Sequence, residues 1–272
     1  QTRITAGGTL TAGAAGAFSS SSVVVIGNNT TGTGNLNLGS TSQTIAGLTV
    51  SSNSATASII TIASGKTLTI NGGVTLGANA NASSTVVTAT GGGAILVNSG
   101  GANFQVGGAT GGTNDNAATA DFSGLSSFTA NLGAGTFRLG DGNTGTENNA
   151  STFKLAANNS ITAASVRIGD GTGGAFTHTL TLGSGTNTFQ ADTINIGSAG
   201  SATRSGGTLV FDGADTTGSL TIRATDGASR AALNMVNTTG STTGDMTSTI
   251  NLAGHTADVL ISALTMARAL AP

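Results

Sequence analysis

The sequence predicts an all-β chain wound into a right-handed parallel β-helix, a solenoid of roughly nine coils. Three observations carry that prediction. Apolar residues alternate with polar ones in short runs. Gly-rich stretches follow almost every run, as corners and turns require. Near-identical segments return after about 28 residues, the mark of a repeat architecture.

The alternation is seen in Leu36-Asn37-Leu38, Leu48-Thr49-Val50, Thr67-Leu68-Thr69-Ile70, Val74-Thr75-Leu76 and Thr179-Leu180-Thr181-Leu182. A period of two places Leu, Ile and Val on one side of a strand and Thr or Asn on the other. The rest is dominated by Gly, Thr, Ser and Asn, each of which disfavours a helix interior.

The recurrence runs through the middle of the chain. Phe137-Arg138-Leu139-Gly140-Asp141-Gly142 returns as Val166-Arg167-Ile168-Gly169-Asp170-Gly171, an offset of 166 − 137 = 29. Ile194-Asn195-Ile196-Gly197 follows after 194 − 166 = 28, and Phe104-Gln105-Val106-Gly107-Gly108 precedes by 137 − 104 = 33. A second series keeps step: Phe153-Lys154-Leu155, Leu180-Thr181-Leu182 and Leu209-Val210-Phe211. Two series with one period mean two or three short strands per repeat. A propeller blade needs about 40–45 residues, and a hexapeptide solenoid a strict short period. Coils stacked about 4.8 Å apart turn equivalent residues into ladders. The expected inward columns are Phe104, Phe137, Val166, Ile194; Val106, Leu139, Ile168, Ile196; and Phe153, Leu180, Leu209. Gln105, Arg138, Arg167 and Asn195 form the outward column beside the first. The whole of 1–272 reads as a single β-helix domain, with weakly repetitive coils in 1–33, the clearest repeats in 34–223 and further coils in 224–272.

Composition narrows the function. Charged residues make up 7% of the chain and the formal net charge is −2. Nucleic acid needs clustered Lys and Arg, and an anionic membrane surface a polybasic segment; the basic residues here are scattered from Arg3 to Arg268. Leu, Ile, Val and Phe together make up about a fifth of the chain. That is little for one thick core, and it suits many thin apolar layers. The absence of Cys removes thiol catalysis, cysteine-type zinc and iron–sulfur clusters. The longest apolar run, Val23-Val24-Val25-Ile26, falls far short of the ~20 residues of a membrane helix. The opening Gln1-Thr2-Arg3 has no apolar signal core, so the chain reads as a processed or excised piece of a secreted precursor.

Candidate chemistry is sparse. His178 at the head of a strand and His255 after Gly254 are expected in solvated positions, with no ligand-spaced partner. Asp141 and Asp170 fall one coil apart, and paired carboxylates suit glycoside hydrolysis; Arg138 and Arg167 stack likewise and are expected to pair with them. Asp141-Gly142-Asn143-Thr144-Gly145 and Asp212-Gly213-Ala214-Asp215 offer oxygens but match no calcium loop. No Gly-x-Ser-x-Gly elbow sits between strand and helix, and Gly91-Gly92-Gly93 opens no helix for a phosphate. Outward pairs such as Thr67/Thr69 and Thr179/Thr181 suit an ice-binding array, which Arg138, Arg167, Lys154 and Asn37 at other outward positions are expected to spoil. The reading is therefore of no enzyme, with no catalytic, cofactor-binding or metal-binding residue and no cofactor.

The segment Leu180-Thr181-Leu182-Gly183-Ser184-Gly185-Thr186-Asn187-Thr188-Phe189-Gln190-Ala191-Asp192-Thr193-Ile194-Asn195-Ile196-Gly197 resembles the autotransporter-associated β-strand repeat of bacterial surface proteins. Leu36 to Val50 is a looser copy. Phe189 and Ile45 stand where that repeat often has Tyr, and Gln190-Ala191-Asp192 replaces its Gly-rich turn. The likeness covers about residues 33 to 223. It implies a secreted, β-helical, passenger-type region, and it brings no catalytic residues. The expected function is an extracellular structural or adhesive protein of the bacterial cell surface; the alternatives are a polysaccharide-active β-helix enzyme and an ice-binding module. No capping helix is legible at Gln1–Thr11, and Asp258-Val259-Leu260-Ile261-Ser262-Ala263-Leu264 reads as another strand. Unpaired terminal coils favour pairing with another chain. The expected partner is the chain itself, head to tail in fibres, with other cell-surface or matrix components as further candidates. Neither nucleic acid nor membrane insertion is expected.

Overall fold

A computed structural model describes residues 1–27, 32–52, 54–77, 85–108, 117–140, 150–169, 176–199, 204–237 and 247–268. Among them there is no helix. The strands stack in parallel as a β-solenoid with three faces. Ser198–Ala199 pairs antiparallel with Arg204 and Ser205, outside that stack. Parallel sheets usually read as continuous apolar runs because both sides are covered. In a solenoid the outer side meets water, so the period of two survives in the sequence.

The first face carries the predicted ladders. One column runs through Thr2, Val24, Leu48, Val74, Phe104, Phe137, Val166, Ile194, Leu233 and Leu264. Its neighbour holds Val106, Leu139, Ile168 and Ile196 in successive rungs and continues to Met235 and Met266. Gln105, Arg138, Arg167 and Asn195 form the outward column between them. The second face stacks Ala120, Phe153, Leu180, Leu209 and Ile250. The third face stacks Ile45, Ile70, Val97, Ala130, Ile161, Phe189, Ile222 and Val259. The two copies of the sequence motif fall on corresponding strands. Leu36 and Leu180 lie on the second face, Ile45 and Phe189 on the third, Leu48 and Ile194 on the first. One repeat is therefore one coil.

The spacing between rungs is less regular than a period of 28. The offset runs from 24 − 2 = 22 at the first step to 233 − 194 = 39 near the last. The loops at the corners absorb the difference while the strands keep register.

Between the faces lies one continuous apolar core. Its middle coils are aromatic. Phe104 stacks on Phe137 at 5.2 Å, Phe122 meets Phe153 edge-on at 4.9 Å, and Phe128 lies 5.1 Å from Phe104. The corner after the first face recurs as a glycine with positive φ, at Gly107, Gly140, Gly169 and Gly197. At Gly169 a Cβ would run into the backbone of Gly206 as well, so both conformation and space require glycine there.

One expectation is corrected. Asp258 to Leu264 is not a single strand. Thr256–Val259 pairs on the third face and Ile261–Arg268 on the first, with Leu260 between them. The three consecutive apolar residues Val259, Leu260 and Ile261 mark the corner, because a change of face interrupts the alternation.

Candidate functional site

Neither histidine is solvated as the sequence suggested. His178 lies inside Thr177–Leu182 and is fully buried. Its Nδ1 accepts the backbone N–H of Ser151 from the coil below, at 3.0 Å. The alternation predicts this inward position two residues before Leu180, and the polar character of the side chain concealed it. His255 follows Gly254 in a turn, but its ring lies flat on Phe211, with centroids 3.8 Å apart. Its Nδ1 is 2.9 Å from the carbonyl oxygen of Ala253, and its Nε2 is 3.7 Å from Asp215 Oδ2.

The corners leading from the second face to the third line a groove of about 280 Å³, with Ser123, Lys154, Ser184, Asp212 and Asp215 as its polar side chains. Lys154 Nζ and Asp212 Oδ2 are 2.5 Å apart and both are well exposed. The hydrogen bond between them raises the Lys154 pKa and lowers that of Asp212. Backbone donation from Thr217, with further hydrogen bonds from that hydroxyl and from Gly218 N–H, lowers the Asp215 carboxyl. Glycoside hydrolysis needs one carboxyl held protonated near neutrality; Asp212 and Asp215 are both shifted the other way. Their oxygens are engaged in turn hydrogen bonds and the lysine pair. Among the described residues no three His, Asp or Glu side chains converge on a metal position. Asp141, Asp170 and the Asp141–Gly145 stretch lie outside the described residues, while Arg138 and Arg167 are adjacent rungs of one outward column.

Buried asparagines were missed by the sequence reading. Asn159 and Asn187 stack inside the third face, with Asn159 Nδ2 donating to Asn187 Oδ1 at 2.8 Å. Asn187 also holds the next corner: its Oδ1 accepts Gly183 N–H, and its Nδ2 donates to the Gly183 and Ser219 carbonyls. The recurrence of Asn158-Asn159 and Asn187 at a 28-residue interval was the available signal.

Two surfaces remain that chemistry can use. The first is the edge made by Thr249–Asn251, Thr256–Val259 and Ile261–Arg268. Among the described residues each of these pairs on one side alone, with the strand of the preceding coil. Leu264 and Met266 continue the core columns of the first face yet are 55% and 62% exposed. The opposite edge is formed by Thr2–Ile4 and Thr9–Thr11.

No known protein family, curated protein or solved structure matches this chain.

The second surface is the outer side of the third face. One outward column holds Thr129, Ser160, Thr188 and Thr221 in successive rungs. The parallel column two residues earlier holds Ser127, Asn158, Thr186 and Ser219. Thr67 and Thr69 belong to the same face, separated from this block by the rung of Ala94 and Leu96. The residues expected to spoil a hydroxyl array lie elsewhere. Arg138 and Arg167 are on the first face, and Lys154 and Asn37 on the second, with Thr179 and Thr181.

Proposed function

We propose that this chain is a structural or adhesive extracellular protein of the bacterial cell surface, which stacks head to tail on further copies of itself. It is read as a right-handed β-helix of about nine coils, since crossovers between parallel strands are right-handed in about 98% of cases. The observation that carries the self-association is the exposed pair Leu264 and Met266 on a strand whose outer backbone groups have no strand partner among the described residues. A long edge strand with exposed apolar side chains is a template for another chain. A second copy presenting Thr2–Ile4 extends the ladders in register, with Thr2 over Leu264 and Ile4 over Met266. Such a contact joins two different surfaces, so it repeats without closing and yields filaments. The likeness of Leu36–Val50 and Leu180–Ile196 to the autotransporter-associated repeat supports the location and the non-catalytic role. Other cell-surface or matrix components are its further partners.

Negative-stain electron microscopy and light scattering of the purified chain test this reading. Filaments are expected for the native protein, and monomers for the L264D/M266D double variant. A native chain that stays monomeric at high concentration removes the proposal. Antibody labelling of intact source cells tests the location; labelling seen after lysis alone counts against it.

A further inference from the structure

From the outer side of the third face we infer a second activity, independent of end-to-end stacking: that face binds the surface of an ice crystal. The block from Ser127/Thr129 to Ser219/Thr221 is four rungs deep and two columns wide. Its backbone keeps register through every rung. Rungs repeat at about 4.8 Å, and residues two apart along a strand at about 6.6 Å. The result is a rectangular grid of side chains.

Seven of its eight positions are Ser or Thr and the eighth is Asn158; none is charged. Thr brings a methyl beside its hydroxyl and has a stiff χ1, and the first, third and fourth rungs carry one in the same column, at Thr129, Thr188 and Thr221. The second and third rungs are tied together, for Asn158 Oδ1 accepts hydrogen bonds from both the N–H of Thr186, at 3.1 Å, and its Oγ1, at 3.3 Å. A surface already held in place loses little conformational freedom when it meets a rigid partner. Water held by the hydroxyls repeats at the ladder spacing, and a crystalline lattice of water repeats on comparable lengths.

The observations favour ice over a crystalline polysaccharide. Sugar faces stack on aromatic rings, and the chain has no Trp or Tyr. Phe128 and Phe189, the aromatics of this face, point inward and are fully buried. On the last rung Asp258 takes the place of Thr221, and Arg223, two residues along the strand from Thr221, forms an ion pair with it beside the grid.

Thermal hysteresis and ice-crystal shaping of the purified chain test the inference. The native protein is expected to show a hysteresis gap and faceted crystals. T188K is expected to abolish both, whereas T181K, on the second face, retains them, with the same β circular dichroism and melting curve in each case. Should T188K fail to fold, T221K on the next rung carries the same expectation. A native chain that leaves ice growth unchanged overturns the inference. Equal loss in T181K overturns the assignment to this face. Retention on microcrystalline cellulose or chitin without ice activity replaces ice with a polysaccharide and overturns it as well.

Discussion

Asn187 shows how a single polar side chain is held inside a wall of apolar ones. Its carboxamide accepts from Gly183 N–H and Asn159 Nδ2 and donates to two carbonyls, all within 3.0 Å. Asn187→Ala leaves these buried partners unsatisfied, at a cost of about 1–3 kcal/mol. A denaturant midpoint equal to that of the native chain would contradict this. The column of Ile45 and Phe189 illustrates the opposite case. The position is fully buried, and a tyrosine hydroxyl there would need a partner. Acid sensitivity is also a residue property. The Ser229 hydroxyl, with Ser229 and Ala228 N–H, holds the Asp226 carboxyl at about 2. Thr225 lowers Asp192 in the same way. A carboxyl lowered in the folded state stabilises above its unfolded pKa of about 3.9, and that contribution disappears as pH falls through the folded value. The melting temperature is therefore expected to fall between about pH 4 and 2, and less steeply in D226N, as followed by circular dichroism.

At the scale of the strand and its corner, the alternation made most inward residues legible, including Phe137 over Val166 and Leu180 over Leu209. Corners were less legible, because consecutive apolar residues signal either a buried strand or a change of face. Val259-Leu260-Ile261 is the second kind. Gly183 is a corner where space decides: a Cβ there would overlap the carbonyl oxygens of Ala156 and Ala157. Gly183→Ala is expected to lower stability by about 0.5–3 kcal/mol, while Gly7→Ser, at a position open to solvent but with positive φ, acts through the backbone alone. The aromatic layer is the other element-level feature. Phe128 touches Phe104, Phe122, Phe137 and Phe153. Truncation to Ala leaves a cavity that those rings cannot fill, and a loss of about 3–5 kcal/mol is expected in equilibrium unfolding.

In the whole molecule each coil contacts its neighbours alone, so stability adds along the stack rather than residing in one core. Backbone amides of the aromatic-bearing strands Phe104–Val106, Ser127–Leu139 and Thr152–Lys154 are expected to exchange most slowly, and those of Ile261–Arg268 most quickly. Hydrogen exchange measured by mass spectrometry checks this, and uniform protection along the chain would argue against it. If filaments form, the Ile261–Arg268 amides gain protection on assembly. The three faces divide the surface chemistry as well. Arg138 and Arg167 crowd the first, Lys154 and Asp121 the second, and a charge-free block of hydroxyls occupies the third.

The period-two alternation by itself determined which side chains point inward, and the return of near-identical segments determined that the strands stack as parallel rungs and which rung lies on which. Both are local facts: a side chain's direction follows from its place in the pleat, and equivalent segments find the same place in successive coils. Only the tertiary structure decided which face each run occupies. It alone stacked His255 on Phe211 and separated the hydroxyl grid from the arginine column. The physical reason is that face assignment depends on where the chain bends and how much of it each corner absorbs. The uneven offsets from Thr2 to Val24 and from Ile194 to Leu233 leave no fixed period from which to read it.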